Sequence, residues 1–425
     1  VSLLIKNGRV IDPDSHVDET LDILIDRGKF AEIKPKIEKE GVKKIDASRL
    51  VVAPGFIDMH VHLRQPGQEE KETIKTGSQA AAKGGFTSVA CMPNTNPIND
   101  SRDVTEFILA EAKRNAVVNV FPVAAITKGL KGEEITDMVD LRDAGAIAFS
   151  DDGHPVENSL VMKRALEYSR VADAIIIDHC EDRQLSADGI MHEGINSVKL
   201  GIRAIPASAE EVMVARDIIL ARETRTKIHI AHLSVRGAVD LLKWAKQQGI
   251  QVTAEVTPHH LFLTDEALES FDTNLKVNPP LRSAQDAEAL IQAVREGWID
   301  VFATDHAPHT PDDKDVELDQ APFGINGLET AVPLLLDKLV NKNVLSLEKF
   351  IAMMSTNPAK IFGLGTKGKI QVGADADLSL LKLNQDIVVD TSRFLSKSRN
   401  SPFDGWKLKG APVMTIVGGK IVYSG

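Results

Sequence analysis

The chain has only two cysteines, Cys91 and Cys180, in 425 residues. They form no Cys-x-x-Cys pair, which argues against a disulfide framework or a thiolate-built structural zinc site. Each follows an apolar run and reads as a small buried residue. No apolar run approaches the length needed to span a bilayer, and Val1-Ser2-Leu3-Leu4-Ile5-Lys6 lacks the charged region and cleavage signature of a signal peptide. A soluble, cytoplasmic protein is expected. Positive charge is in deficit, since 50 Lys and Arg stand against 61 Asp and Glu, a net charge of −11 with no long run of either sign. Nucleic-acid binding is disfavoured on that ground. Also missing are a phosphate loop of the form Gly-x-x-x-x-Gly-Lys-Ser or -Thr, a Gly-x-Gly-x-x-Gly opening a helix, and the Gly-x-Ser-x-Gly elbow of serine hydrolases. No internal repeat or low-complexity segment is evident.

What is present falls into two textures. Short β-like runs punctuated by turns occupy 3–11 around Asn7-Gly8, 21–33 around Arg27-Gly28, and 42–52. This is the hairpin pattern of an antiparallel sheet, in a segment too small to bury a core easily by itself. The pattern returns at 368–383 and 413–423, so both ends of the chain are expected to combine into one small β-sandwich domain, 1–53 plus 364–425. Over 54–363 short apolar runs alternate with longer segments of helical spacing. The strand candidates are 56–59, 87–92, 117–123, 146–149, 174–177, 227–231, 251–256 and 301–303. Intervening segments such as 72–83, 104–114, 162–171, 210–222, 238–248 and 284–295 are rich in helix formers. Eight alternations predict an α/β fold with a parallel (β/α)8 barrel of TIM type rather than an open doubly wound sheet.

The first candidate strand runs into His60-Val61-His62-Leu63-Arg64. Residues i and i+2 of a strand share a face, so both imidazoles can meet one ion. Alone, the pair reads equally well as two polar-face histidines. What decides is that similar groups recur where the other strands stop. Pro93-Asn94-Thr95 follows the second, Ser150-Asp151-Asp152-Gly153 the fourth, Asp178-His179 the fifth and His232 the sixth. Thr257-Pro258-His259-His260 follows the seventh, and Thr304-Asp305-His306-Ala307-Pro308-His309 the eighth. In a barrel these ends converge on one mouth, where the active sites of that fold lie. Arg64 adds a fixed cation beside the histidines, a place for an anionic substrate.

His60, His62, His179 and His232, with Asp305, supply ligands for one or two divalent ions of the zinc type. A two-metal site, with ions about 3.5–4 Å apart, also needs a bridging anion. No lysine ends strand four or five to become a carboxylated bridge, and Asp152 is therefore favoured as the bridge; its neighbour Asp151 is the confounder, since it could equally bind a loop amide or an outlying histidine. Such a centre suits hydrolysis of an uncharged carbonyl by metal-activated hydroxide. Asp305 would take the proton and return it to the leaving nitrogen.

Taken together, the stretch Pro54-Gly55-Phe56-Ile57-Asp58-Met59-His60-Val61-His62-Leu63-Arg64, Met92-Pro93-Asn94-Thr95, Phe149-Ser150-Asp151-Asp152-Gly153, Asp178-His179-Cys180-Glu181-Asp182, Val277-Asn278-Pro279-Pro280-Leu281-Arg282, Ala303-Thr304-Asp305-His306-Ala307-Pro308-His309 and Lys397-Ser398-Arg399-Asn400 resemble the bacterial class I dihydroorotases of the amidohydrolase superfamily. The motifs occur in family order and cover nearly the whole chain. The resemblance implies zinc-dependent, reversible cyclisation of N-carbamoyl-L-aspartate to L-dihydroorotate in pyrimidine synthesis. Its metal ligands would be His60, His62, Asp152, His179, His232 and Asp305, with Asp305 also the acid/base. Arg64, Asn94 and His309 would hold the substrate carboxylate, Asn278 would contact the ring, and the Phe323-Gly324 backbone would complete the pocket. It further implies a homodimer and a possible association with aspartate transcarbamoylase.

His229 lies within the sixth strand and reads as packed or hydrogen-bonded, and His259 and His260 as supporting groups. Cys180 should project away from the site, because it alternates with His179. The polar loop 310–320 reads as a mobile lid. Two rival functions remain at this stage. One is another cyclic amidohydrolase (dihydropyrimidinase, hydantoinase or allantoinase), and the other is a non-catalytic partner of aspartate transcarbamoylase.

Overall fold

The computed structural model describes residues 2–425. Eight parallel strands carry its central part: β1 (Phe56–Val61), β2 (Phe86–Cys91), β3 (Asn119–Ala124), β4 (Ala148–Phe149), β5 (Ile175–Asp178), β6 (Ile228–Ile230), β7 (Val252–Val256) and β8 (Val301–Phe302). They pair in sequence order. The ring closes where Val61 bridges in parallel to His306, just after β8, and the His62 amide donates to the His306 carbonyl at 2.8 Å. A second tie lies deeper, where the Asp58 carboxylate accepts from the Thr304 hydroxyl at 2.6 Å and its amide at 3.2 Å.

Strands buried on both faces are apolar nearly throughout, and alternate residues serve two cores. Val89, Ile176, Ile230 and Val256 face outward and pack with helix residues Ile74, Ile108, Leu166, Val214, Leu242 and Leu290. Their neighbours Ala90, Ile177 and Ala231 join Met59, Met92 and Val123 in a separate buried cluster, the filling of the barrel. The helices are those the spacing predicts, Ile74–Lys83, Arg102–Asn115, Ser159–Val171, Ser208–Thr224, Arg236–Gln247 and Ala284–Glu296. Local signals set their ends. Ser283 and Asp286 form a reciprocal capping box, and Gly297 stops that helix in the left-handed region at φ 83°.

Two βα connections carry structure that apolar spacing does not announce. After β5 the chain forms the short helix Ile195–Leu200 between two paired strands, Met191–His192 and Ala204–Ile205. After β7 it passes through the helix Pro258–Phe262 and two 3-10 turns before Ser283. Both lie on the mouth side of the barrel.

The two ends of the chain build one eight-stranded sheet. Its order runs Lys420–Ser424, Lys407–Val417, Leu378–Val388, Val51–Pro54, Leu3–Asp12, Val17–Asp26 and Lys29–Lys34, with Lys43–Asp46 also pairing to Leu3–Asp12. Leu3, Ile5, Ile23 and Ile25 fill one face with Leu378 and Leu380, while Leu4, Leu24 and Ile37 fill the other. Two details depart from expectation. The sheet is mixed rather than antiparallel, because Lys43–Asp46 and Val51–Pro54 run parallel to Leu3–Asp12. That direction delivers the chain straight into β1. Asn7-Gly8 is no turn but a bulge inside the first strand, with Asn7 at φ 60°. A side chain at Gly8 would stand 2.5 Å from Val52.

Candidate metal centre

The six expected ligand residues converge, each from the end of its strand and each buried. The pairing of β1 with β2 shifts register between Asp58 and Val61, an irregularity of the kind that re-aims side chains beside active sites. His60 and His62 leave it facing the same two carboxylates. His60 Nε2 lies 3.3 Å from Asp152 Oδ1 and 3.5 Å from Asp305 Oδ1. His62 Nε2 lies 3.4 Å from Asp152 Oδ2 and 3.1 Å from Asp305 Oδ1. On the other side His179 Nδ1 and His232 Nε2 each stand 3.6 Å from Asp152 Oδ1. Those two nitrogens are 2.8 Å apart, within hydrogen-bonding distance. Asp152 therefore spans the group, one oxygen turned to His62 and the other to His60, His179 and His232.

These separations suit a cation. Ligand atoms about 2.1 Å from an ion at the tetrahedral angle stand about 3.4 Å apart. Moreover, His60 Nε2 and Asp152 Oδ1 are both buried without a hydrogen-bond partner although 3.3 Å apart, so they aim at a shared third body rather than at each other. Charge points the same way. Burial opposes ionisation of Asp152 and Asp305, yet the surrounding histidines hold both well below the usual carboxylate range. Burial likewise opposes charge on His60 and His179, but the carboxylates hold His60 well above the ordinary histidine value and lift His179 to about 10. The cluster demands positive charge, which protons or a divalent ion can supply.

Asp151 is turned away from this group. Its carboxylate accepts from the Ile126 amide at 2.7 Å, the Thr127 amide at 3.0 Å and the Thr127 hydroxyl. Cys180 also points away, its sulfur 3.4 Å from Asp178 and from Asp217. Those three could chelate, but the Arg216 guanidinium, 2.7 Å from Asp217 and 3.4 Å from Asp178, already provides the positive charge.

The expected substrate residues meet the group at different points or stand beside one another near it. Arg64 is buried, and its Nε donates to the Pro308 carbonyl at 3.2 Å. Burial pushes its guanidinium down to about 10 against the pull of Asp305 and Asp152, and among the described residues no carboxylate lies within 4.0 Å of it. His309 meets the Phe323 carbonyl through Nε2 at 2.8 Å. Burial and Arg64 push His309 down to about 3, so the ring is neutral and Nε2 is the donor. At Gly324, φ 127°, an added Cβ would stand 2.6 Å from the Ala307 Cβ. Asn94 and Asn278 have partners within the protein. Asn94 Oδ1 lies 2.9 Å from His62 Nδ1, and Asn278 donates at 2.9 Å to Glu181, which lies 3.0 Å from His179 Nε2.

Glu181 and Asn400 stand in the recognised motifs without an expected role, and Glu255 was not singled out from the sequence at all. Asn400 donates to the carbonyls of Ala307 and Gly324 and accepts from the His309 amide, fastening the two walls together. A signal existed for Glu255, since it is the one charged residue in the strand Val252-Thr253-Ala254-Glu255-Val256. His229 is hydrogen-bonded as expected, to Thr253 at 2.8 Å and Glu255 at 3.2 Å. His260 packs between Thr257 and the Pro279 carbonyl. The loop expected as a lid is pinned. It contains the short helix Pro311–Lys314, and Lys314 is buried, donating to Thr273 and Pro322 carbonyls at 3.1 and 2.8 Å. Lys276 reaches from the facing segment to the Leu318 and Asp319 carbonyls.

Known proteins share both the sequence and this architecture. A family model described as dihydro-orotase-like matches residues 48–238. A protein of Pelotomaculum thermopropionicum named dihydroorotase is 54% identical over 422 residues, 99% of this chain and 98% of its own. A dihydroorotase of Syntrophus aciditrophicus is 51% identical over 425 residues, 100% of this chain and 99% of its own. Among solved structures, the L-hydantoinase (dihydropyrimidinase) from Arthrobacter aurescens superposes with a TM-score of 0.90 at 30% identity, over 99% of this chain and 96% of its own. The dihydropyrimidinase from Brevibacillus agri, with a TM-score of 0.87 at 23% identity over 100% of this chain and 95% of its own, shares the fold. Identity at half of all positions along the full length makes this chain a member of the dihydroorotase family, within the amidohydrolase superfamily.

Proposed function

We propose that this chain catalyses the reversible cyclisation of N-carbamoyl-L-aspartate to L-dihydroorotate. The single observation that carries the reading beyond ring-amide hydrolysis in general is Arg64, a buried guanidinium with no carboxylate of its own beside the metal-type cluster. A buried charge needs a partner, and a substrate carboxylate provides one with bidentate geometry. An uncharged hydantoin or dihydropyrimidine would leave it unpaired.

In this reading His60, His62, Asp152, His179, His232 and Asp305 hold one or two zinc ions. A divalent ion bound there supplies Lewis acidity to a carbonyl oxygen and lowers the pKa of a water towards about 7. The remaining work belongs to the chain. Arg64, His309 and Asn94 orient the substrate carboxylate, with Asn278 and the Phe323-Gly324 backbone against the ring. Asp305 turns Oδ1 to His60 and His62, which leaves Oδ2 to take the proton of the attacking water. The same oxygen returns that proton to the amide nitrogen as the ring opens, and cyclisation runs these steps backwards. The 310–320 loop excludes water while it is docked.

We read 1–53 plus 364–425 as the β domain and 54–363 as the catalytic barrel. We also read the protein as a cytoplasmic homodimer, with aspartate transcarbamoylase as a possible partner. The test is metal analysis of the full chain together with assays in both directions. One or two zinc ions per chain and turnover of dihydroorotate far above that of an uncharged hydantoin are expected. Equal turnover of the hydantoin would place the activity with the hydantoinases, and a metal-bearing chain active only with a partner would make it a subunit.

A further inference from the structure

Three of the four clustered histidines have their second ring nitrogen held: His62 by Asn94, His179 by Glu181 and His60 by Glu255. Asn94 and Glu181 lie on the substrate side, where Glu181 also meets Asn278. Glu255 is different. It sits on β7 inside the barrel, fully buried, and the proposed function gives it no part in substrate binding or proton transfer.

Among the described residues, every hydrogen bond of its carboxylate is to a histidine. Oε1 stands 2.7 Å from His60 Nδ1 and also accepts the His232 backbone amide at 3.1 Å. Oε2 stands 3.2 Å from His229 Nε2, and His229 Nδ1 meets the Thr253 hydroxyl at 2.8 Å. Both oxygens of the buried carboxylate are therefore occupied by nitrogen partners, and Glu255 is the shared acceptor between the two rings. The proton directions follow. Thr253 donates to His229 Nδ1, His229 donates from Nε2 to Glu255, and His60 donates from Nδ1 to the same carboxylate. His60 Nε2 is thereby left as the lone-pair nitrogen, and it is the atom aimed at Asp152 and Asp305. The contact with His232 reaches the other half of the cluster. His232 has φ 29°, a left-handed conformation that a side-chain-bearing residue adopts only when its surroundings enforce it.

We propose that Glu255, backed by His229 and Thr253, is a positioning residue. One buried carboxylate sets the tautomer and aim of His60 and fixes the strained backbone that presents His232, coupling both halves of the metal centre. This rests on the proposed metal-dependent function. Outer carboxylates on metal-bound histidines raise ligand basicity and lock ring orientation, and their loss typically lowers metal affinity about 10- to 100-fold.

The experiment compares zinc affinity of the full-length wild type with that of Glu255→Gln and His229→Asn by competition with a chromophoric chelator. Apo-protein melting temperature and the split between kcat and KM for dihydroorotate at saturating zinc are measured in parallel. Glu255→Gln keeps the size of the side chain, so the apo protein should melt within a few degrees of wild type. Its zinc affinity should fall about 10- to 100-fold with KM within about twofold. His229→Asn, which removes the brace but leaves the carboxylate, should lose affinity by a smaller factor. A folded Glu255→Gln whose zinc affinity matches wild type would overturn the proposal, as would a loss seen in KM alone. If Glu255→Gln does not fold, His229→Asn decides by itself, and wild-type affinity there is the overturning result. A wild type that binds no zinc would instead sink the proposed function.

Discussion

Arg64 and His309 meet donor to donor. Nη2 of the arginine stands 3.4 Å from Nε2 of the histidine, whose proton is already taken by the Phe323 carbonyl at 2.8 Å. That arm of the guanidinium therefore has no acceptor in the contact. In the proposed function, this neutral histidine and charged arginine side by side are the receptor for the substrate carboxylate.

Replacing Arg64 with Met should remove that receptor and leave the metal ligands untouched. Loss of a buried charge-assisted bond costs about 2–4 kcal/mol, which is roughly 30- to 1000-fold in kcat/KM for dihydroorotate. Zinc content should stay at the wild-type value. Steady-state kinetics with metal analysis checks both, and undiminished kcat/KM would remove Arg64 from the substrate site.

The neighbours Asp151 and Asp152 should separate cleanly on mutation. Asp152→Ala takes away the carboxylate shared by four histidines, so bound zinc should fall below one equivalent. Asp151→Ala leaves the Ile126 and Thr127 amides without their acceptor, a cost of about 1–3 kcal/mol in stability. Its zinc stoichiometry should be unchanged. Mass spectrometry of the metal and denaturant melts distinguish the pair, and zinc loss in Asp151→Ala would reverse the assignment.

Docking of the 310–320 loop should depend on pH through Lys314. Burial, with Lys276 nearby, pushes its ammonium down to about 7 from the ordinary lysine value of 10.5. The folded state therefore binds fewer protons than the undocked state between those two values, and docking gains stability as pH rises through that window. Below about 7 the penalty for the buried charge is fully present. Hydrogen-exchange protection of 310–320 should increase from pH 7 to 9 in the wild type and be flat in Lys314→Met. A wild-type protection factor that falls over this range contradicts the sign.

Gly324→Ala should damage the pocket wall specifically. The new methyl would stand 2.6 Å from Ala307 Cβ and 3.1 Å from its carbonyl oxygen, at a φ of 127°. Overpacking of this kind costs about 1–3 kcal/mol, and relief requires the Phe323-Gly324 segment to move off the wall that holds His309. A lowered melting temperature and a raised KM at unchanged zinc content are expected. A variant with wild-type KM would show that the wall does not touch substrate.

The barrel was readable because parallel strands buried on both sides must be apolar, and Ile175-Ile176-Ile177 or Val301-Phe302 can hardly be anything else. The histidines and aspartates stood out for the complementary reason, as polar groups at the one phase where an apolar strand ends. Less could be read of the terminal sheet. Asn7-Gly8 is a turn dipeptide by composition and a bulge in fact, because Val52 from a distant strand packs where a side chain would stand. The detours 183–205 and 258–283 were unreadable as apolar patterns, since their residues pack against the mouth and not against a periodic helix face.

By itself the sequence determined the candidate ligand residues, the order in which the strands deliver them, and the family to which the chain belongs. Those follow from residue type and spacing along one chain, which local sterics and burial translate directly into strand ends. Only the tertiary structure decided that Asp152 rather than Asp151 faces the histidines, that Arg64 lacks a carboxylate of its own, and that Glu255 holds His60. Each of these is a contact between residues dozens to hundreds of positions apart or a choice between adjacent side chains. Such choices are settled by which buried donor finds which acceptor once the barrel has closed.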